Sequence, residues 1–218
     1  MAKVVVFGNS SWADLAHFYL THDSPHEVVA FTVDGDFLKE ERHRGLPVVP
    51  FGNLEEHYPP GDFSLFIPIS FKRMNHLRAE KYQNAKDRGY KLISYVSSKA
   101  TTWPDFKCGD NCFIFEDNTI QPFCRIGNNV TLWSGNHIGH HSTIGDHCFI
   151  SSHVVISGGV VVEPYCFLGV NTSVRDHVTI GERSVIGMGG MVTKSLEPGG
   201  VYVGAPVKRT GESEGQKI

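Results

Sequence analysis

Counting in sixes from Ile114, the chain places Ile114, Ile120, Ile126, Leu132, Ile138, Ile144, Ile150, Ile156, Val162, Leu168, Val174, Ile180, Ile186 and Val192 in one unbroken aliphatic row. Two residues before each member stands a small or medium-sized residue, among them Cys112, Asn118, Cys124, Ser142, Cys148, Cys166 and Thr172. The residue after it is repeatedly glycine, at Gly127, Gly139, Gly145, Gly169, Gly181 and Gly187. Self-similarity at a fixed short period marks a repeat architecture, in which a unit too small to bury its own apolar row stacks on its neighbours. Each six-residue unit reads as a short strand plus a turn. Three units close one triangular coil of 18 residues, with the aliphatic side chains stacked inside and successive coils hydrogen-bonded about 4.8 Å apart.

Residues 1 to about 95 follow other periods. KVVVFG reads as a buried strand, SWADLAHFYLTH as a helix, and EVVAFTVD and FSLFIPIS as further strands. FKRMNHLRAEKYQNAKDRG reads as a helix stopped by glycine, followed by the strand YKLISYV. Strands alternating with helices predict a small parallel α/β (Rossmann-like) domain. Two domains are therefore expected, 1–95 and 96–218.

The six-residue frame sorts the polar side chains. Cys112, Cys124, Cys148 and Cys166 fall on the small inward position, and Cys108 falls in register with the aliphatic row. Buried thiols in apolar surroundings keep their proton, so a cysteine nucleophile is not expected. His137, His140, His141, His147 and His153 all avoid inward positions. Edges of the prism recur every 18 residues, which sets His140 above Pro122 and below Gly158, with Ser157 and Gly159 beside that glycine. His147 and His153 go to the other two edges, whereas His137, His140 and His141 are expected to converge. His141 and His177 share an edge two coils apart, roughly 10 Å by the strand spacing. Zinc needs each ligand at about 2.0–2.1 Å, so no metal is expected.

A formal net charge of −3 and the absence of a long basic run argue against nucleic acid or anionic lipid as the main partner. MAKVVVFGNSS holds four consecutive apolar residues, too few for a signal-peptide core or a membrane span, so a cytoplasmic protein is expected. Five cysteines in no CxxC pair argue against a disulfide framework.

With these motifs the chain resembles the hexapeptide-repeat acyltransferases, in particular the two-domain nucleotide-sugar N-acetyltransferases related to the bacillosamine, perosamine and sialic acid O-acetyltransferase enzymes. The resemblance runs over nearly the whole chain and includes the ending GMGGMVTKSLEPGGVYVGAPVKR. It implies that the second domain is a left-handed parallel β-helix, usually trimeric with sites between subunits, and that acetyl-CoA is the donor. It also implies that His140, in Ile138-Gly139-His140-His141, is the general base. The flanking acidic residue that orients the imidazole in relatives is missing, which leaves His141, an acidic group from elsewhere or the substrate itself to assist.

From the same resemblance, coenzyme A is expected along Val170 and Gly189, with Lys194 or Lys208 near its phosphates, and a backbone N–H at Ser157 or Gly158 is expected to meet the oxyanion. Asn9 and Ser10, just before a helix, suit phosphate, because helix N-termini offer free N–H groups. Asp34 and Asp36 match the place where relatives grip the nucleotide base, and His137 is expected beside the substrate. The implied reaction is N-acetylation of a UDP-, dTDP- or GDP-linked amino sugar by direct transfer. Sugar O-acetylation and a non-catalytic trimeric nucleotide-sugar-binding protein are the alternatives. Lone pairs on imidazole, with a reference pKa near 6.5, suit the removal of a proton from an attacking amine.

Overall fold

The computed structural model describes residues 1–212; the last six residues of the second predicted domain lie outside the described residues. The first half is an α/β layer built on strands β1 (Lys3–Phe7), β2 (Glu27–Val33), β3 (Arg42–His43), β4 (Leu46–Pro50), β5 (Phe63–Phe66) and β6 (Lys91–Leu92). Their order is β3-β4-β2-β1-β5-β6, parallel throughout except for the β3–β4 hairpin. The chain winds outward through β2 and β4, then returns to add β5 on the other side of β1. Such a reversal opens a crevice at the carboxyl ends of the strands, where open α/β sheets bind ligands.

Helix α1 (Ser11–His22) occupies its predicted span and buries Ala13, Ala16 and Leu20. Helix α2 (His76–Asp87) is shorter than the sequence period implies. Arg73, Met74 and Asn75 instead take positive φ, at 51°, 52° and 67°. Left-handed backbone costs roughly 1–2 kcal/mol per non-glycine residue, so tertiary contacts must hold it. The fully buried Asn75 amide donates to the carbonyls of Tyr165 and Cys166 at 3.4 and 3.3 Å, and Phe71 packs on Phe149 and Phe167. Strand β4 carries two prolines and lacks a clean alternation, so its sequence does not mark it as a strand.

Strand β7 (Tyr95–Val96) pairs in parallel with Phe113–Ile114 and starts the coils. From there two-residue strands repeat every six residues and stack into three parallel sheets, each residue pairing with the one 18 positions on. The result is a three-sided, left-handed β-helix. All fourteen residues of the aliphatic row are buried, at 5% exposure or less. The inward small residues do more than fill space. The thiols of Cys112, Cys124, Cys148 and Cys166 approach the carbonyls of Gly127, Gly139, Glu163 and Gly181 at 3.1, 3.1, 3.1 and 3.2 Å, and the Ser142 hydroxyl donates to Ser157 at 2.9 Å. Each therefore satisfies a carbonyl on the next coil. Burial pushes the Cys166 and Cys124 thiols up, and hydrogen bonding to Cys108 together with burial pushes Cys112 up; Cys124 is only partly buried.

One face of the prism is covered by the α/β layer. Its outward residues include Phe113, Trp133, Phe149 and Phe167, and Trp12, Tyr19, Phe66 and Phe71 pack on them. A buried guanidinium crosses the junction. Arg78, 1% exposed, donates to the carbonyls of Ile69, Ser70, Asn129, His147 and Cys148 at 3.0–3.3 Å. Among the described residues no helix is long and apolar enough to cross a membrane.

Candidate functional site

At each edge of the prism the chain turns through two residues, and the second of them has positive φ: Phe123, His141, Gly159 and His177 at one edge, at 67°, 60°, 68° and 55°. Its N–H donates to the carbonyl 19 residues earlier, as from His141 to Pro122 and from Gly159 to His140. The first turn residue has no such backbone partner, and side chains cap it at several edges. Asp110 and Asn128 donate to side chains 18 residues on, and His140 and Glu182 donate to Gln121 and Glu163, 19 residues back.

Among the described residues the Gly158 N–H is one of several left uncapped, with those of Asp146, Val170 and Met188, and it is the one beside His140. The residue 19 positions back from Gly158 is Gly139, where any Cβ would lie 2.6 Å from the Gly158 nitrogen, so no side chain can stand there to cap it. Asp176, 18 residues on, turns instead toward Arg175 at 3.6 Å. Among the described residues no acceptor engages the Gly158 N–H. The Ser157 N–H, by contrast, is committed to the Val174 carbonyl at 3.1 Å. Of the two predicted oxyanion donors, only Gly158 has a free N–H.

The His140 ring lies directly on that glycine: an added Cβ at Gly158 would sit 2.6 Å from its Cε1 and 2.8 Å from its Nε2. Both histidines are exposed. His140 Nδ1 is 3.1 Å from His141 Nδ1, and the His141 ring packs against Phe123 at 4.7 Å between centroids. The edge thus juxtaposes an imidazole, with one nitrogen engaged and the other over the turn, and an open backbone donor. An acid–base group and an anion-stabilising group within one contact are the minimum for acyl transfer.

His137 does not join the pair. It is an outward strand residue, paired between Thr119 and Val155, and no contact joins it to His140 or His141 among the described residues. Val170 and Gly189 belong to a different edge of the same prism. Lys194 is exposed on the His140 edge three coils beyond, and Lys208 is exposed in the antiparallel strand Lys208–Glu212 at the end of another face. His177 rests on Gly159, where an added Cβ would meet its Nδ1 at 2.4 Å.

His147, read from sequence as a plain edge residue, is enclosed beneath the α/β layer. Its Nδ1 meets the Asn129 amide at 2.8 Å and its ring packs on Tyr165 and Tyr82. Burial pushes its pKa down to about 4.

The crevice at the carboxyl ends of β1 and β5 is a concave region of about 370 Å³. Asn9, Ser10 and Asp34 line it, together with Trp12, Ser70, Lys72 and Lys81. Gly8, at φ 110°, lets the chain turn from β1 into α1, whose N-cap Ser10 leaves its hydroxyl uncommitted to the helix. Asp34 is ion-paired with Lys81 at 2.6 Å, so the carboxylate does not face the crevice alone. Asp36 lies in the short helical turn Gly35–Phe37, exposed, and does not line the crevice. Lys72 and Lys81 carry no signal in the sequence, because lysines on a helical stretch read as a solvated face.

Residues 123–158 match the family described as bacterial transferase hexapeptide (six repeats). Over 94 residues the chain is 32% identical to UDP-3-O-acylglucosamine N-acyltransferase of Campylobacter lari, covering 43% of this chain and 28% of that protein. It therefore spans well under half the length of that curated relative. Among solved structures it is similar to PerB from Caulobacter crescentus, in complex with CoA and GDP-perosamine, with a TM-score of 0.81, 25% identity and coverage of 97% and 98% of the two chains. The acetyltransferase domain of PglB from Neisseria gonorrhoeae superposes with a TM-score of 0.84 at 19% identity, covering 96% of this chain and 100% of that one, a likeness of fold.

Proposed function

We propose that this chain, which carries the bacterial transferase hexapeptide repeat and resembles the two-domain nucleotide-sugar N-acetyltransferases, moves an acetyl group from acetyl-CoA to the amine of a nucleotide-linked amino sugar. The observation that carries the reading is the contact between the His140 ring and Gly158, a turn whose N–H is open.

The amine nitrogen attacks the thioester carbonyl while His140 Nε2 takes its proton. The oxyanion that forms is met by the Gly158 N–H, a donor already fixed by the coil and so needing no reorganisation. Collapse breaks the carbon–sulfur bond, and the proton on His140 passes to the departing thiolate. The products are an amide and free coenzyme A, with His140 restored.

The nucleotide is assigned to the crevice of the α/β unit, 1–95, with phosphate at Asn9 and Ser10 before α1 and the base or ribose toward Asp34. Transfer belongs to the β-helix, 96–218, with Lys194 or Lys208 near the donor's phosphates. Val170 and Gly189 stand on another edge from His140, so a donor touching all three would lie between two subunits, which favours the trimer. His137, on the outward strand beside that edge, is assigned to the acceptor.

Mixing the chain with acetyl-CoA and a panel of UDP-, dTDP- and GDP-linked amino sugars, with thiol release as the readout, tests this. Release with an amine acceptor is expected. Release with hydroxyl sugars alone would replace N- by O-acetylation, and none with any acceptor would leave a binding protein.

A further inference from the structure

Phe123 is an unfavourable residue twice over. It is 68% exposed, and it sits at φ 67° in a turn position elsewhere filled mostly by asparagine, aspartate, histidine or glycine, the residues that adopt left-handed backbone most easily. Tyr165 breaks the same pattern, but its ring packs between His147 and His76 beneath the α/β layer. Among the described residues the one ring packed on Phe123 is His141, at 4.7 Å and an interplanar angle of 39°.

His141 in turn meets His140 Nδ1 to Nδ1 at 3.1 Å. Two neutral imidazoles in that contact share a single proton between the facing nitrogens. Either His140 donates, which leaves its Nε2 lone pair bare over Gly158, or His141 donates, which puts the His140 proton on Nε2 and removes the base. The choice between these two arrangements therefore switches His140 between competent and incompetent. An orienting carboxylate would settle it automatically, since a carboxylate only accepts. A second imidazole can take that part only while its Nδ1 faces His140 and its own proton sits on Nε2.

We propose that Phe123 is a positioning residue: its ring holds His141 Nδ1 against His140 Nδ1, the contact in which His140 donates from Nδ1 to His141, protonated on Nε2, and keeps its own Nε2 free. Gln121 completes the hold, with its Oε1 accepting the His140 backbone N–H at 2.8 Å. The three residues Gln121, Phe123 and His141 replace the missing acidic partner. This rests on His140 acting as the base.

The test is Phe123→Asn in the full chain, with Phe123→Tyr as the conservative control. Asparagine suits the left-handed backbone and the side chain it replaces is exposed, so the thermal midpoint should hold or rise. Nitrogen-15 shifts of labelled histidine side chains report the tautomers without any substrate. In the unsubstituted chain His140 should carry its proton on Nδ1. Phe123→Asn should spread it over both nitrogens and lower kcat about tenfold with KM changed less than about twofold, and Phe123→Tyr should restore both. A His140 proton on Nε2 in the unsubstituted chain, or identical tautomers and kcat in Phe123→Asn, overturns the proposal. Absence of acyl transfer with the tautomer change intact would instead sink the assigned reaction and leave the role of Phe123 in place.

Discussion

Replacing Arg78 by methionine removes a side chain that hydrogen-bonds both sides of the domain junction through five carbonyls. Burial lowers the guanidinium pKa from 12.5 to about 10, with no carboxylate hydrogen-bonded to it. At 1.36 kcal/mol per unit, that shift means the buried charge stands roughly 3 kcal/mol less stable than in water, a penalty the methionine does not carry. Against it, the Cys148 carbonyl keeps the Thr131 N–H, but Ile69, Ser70, Asn129 and His147 lose their donor. Each buried carbonyl left unpaired costs roughly 1–3 kcal/mol. Partial hydration from the crevice side relieves Ile69 and Ser70. The net expectation is destabilisation by about 2–4 kcal/mol, or roughly 4–16 °C in thermal midpoint for a chain of this size. Urea and thermal unfolding followed by tryptophan emission suit the question, because Trp12 and Trp133 pack at a tilt, 5.0 Å between centroids, across the junction. Red-shifted emission should accompany the lower midpoint. An Arg78→Met chain as stable as the parent would refute the view that carbonyl satisfaction, rather than aromatic packing, holds the halves together.

Other consequences of the same geometry can be measured directly. His140→Asn should lower acetyl-transfer turnover by roughly 10²–10⁴-fold with the fold intact, and an unchanged rate would move the base to another group. Gly158→Ala places a Cβ 2.6 Å from the exposed His140 ring, which can swing away, so stability should change by less than about 0.5 kcal/mol while kcat falls tenfold or more, roughly. The His147 pKa of about 4 against 6.5 unfolded means that the unfolded state binds the extra proton between those values. Its contribution is therefore complete above pH 6.5 and is lost as pH falls toward 4. Discounted for partial exposure, it amounts to about 1–3 kcal/mol. Denaturation midpoints across that range should slope less steeply in His147→Asn than in the parent.

The β-helix was legible because its signal is redundant: fourteen positions each demand the same inward aliphatic side chain, and one strand register satisfies them all. The covered face was legible in principle too. Phe113, Phe149 and Phe167 are separated by multiples of 18, which places outward aromatics on one side of the prism only, where the other two sides offer Arg125, His137, Thr143 and Ser173. What the period could not reveal is the start of α2. The helical pattern from Phe71 onward is genuine, but contacts made by Asn75 and Phe71 with residues some 90 positions away hold the backbone in another region.

For the site, sequence arithmetic placed His140 on Gly158 but could not say which neighbouring N–H is free. That depends on a negative fact, the lack of a side chain at Gly139, whose own glycine is imposed by the close approach of Ser157. One steric requirement thus creates both halves of the arrangement. The tight stacking that excludes a Cβ at position 139 leaves the next turn uncapped, and the absence of a Cβ at position 158 lets the imidazole lie within reach of that uncapped donor. His137 failed to join because a strand residue and a turn residue three positions apart point along different normals of the prism. His147 follows the edge rule that sequence gave it, yet becomes a junction residue, since only the α/β layer decides which edge is wet. Roles in this fold are therefore set less by residue type than by which of three equivalent edges a residue occupies, and six-residue spacing alone treats the three as alike.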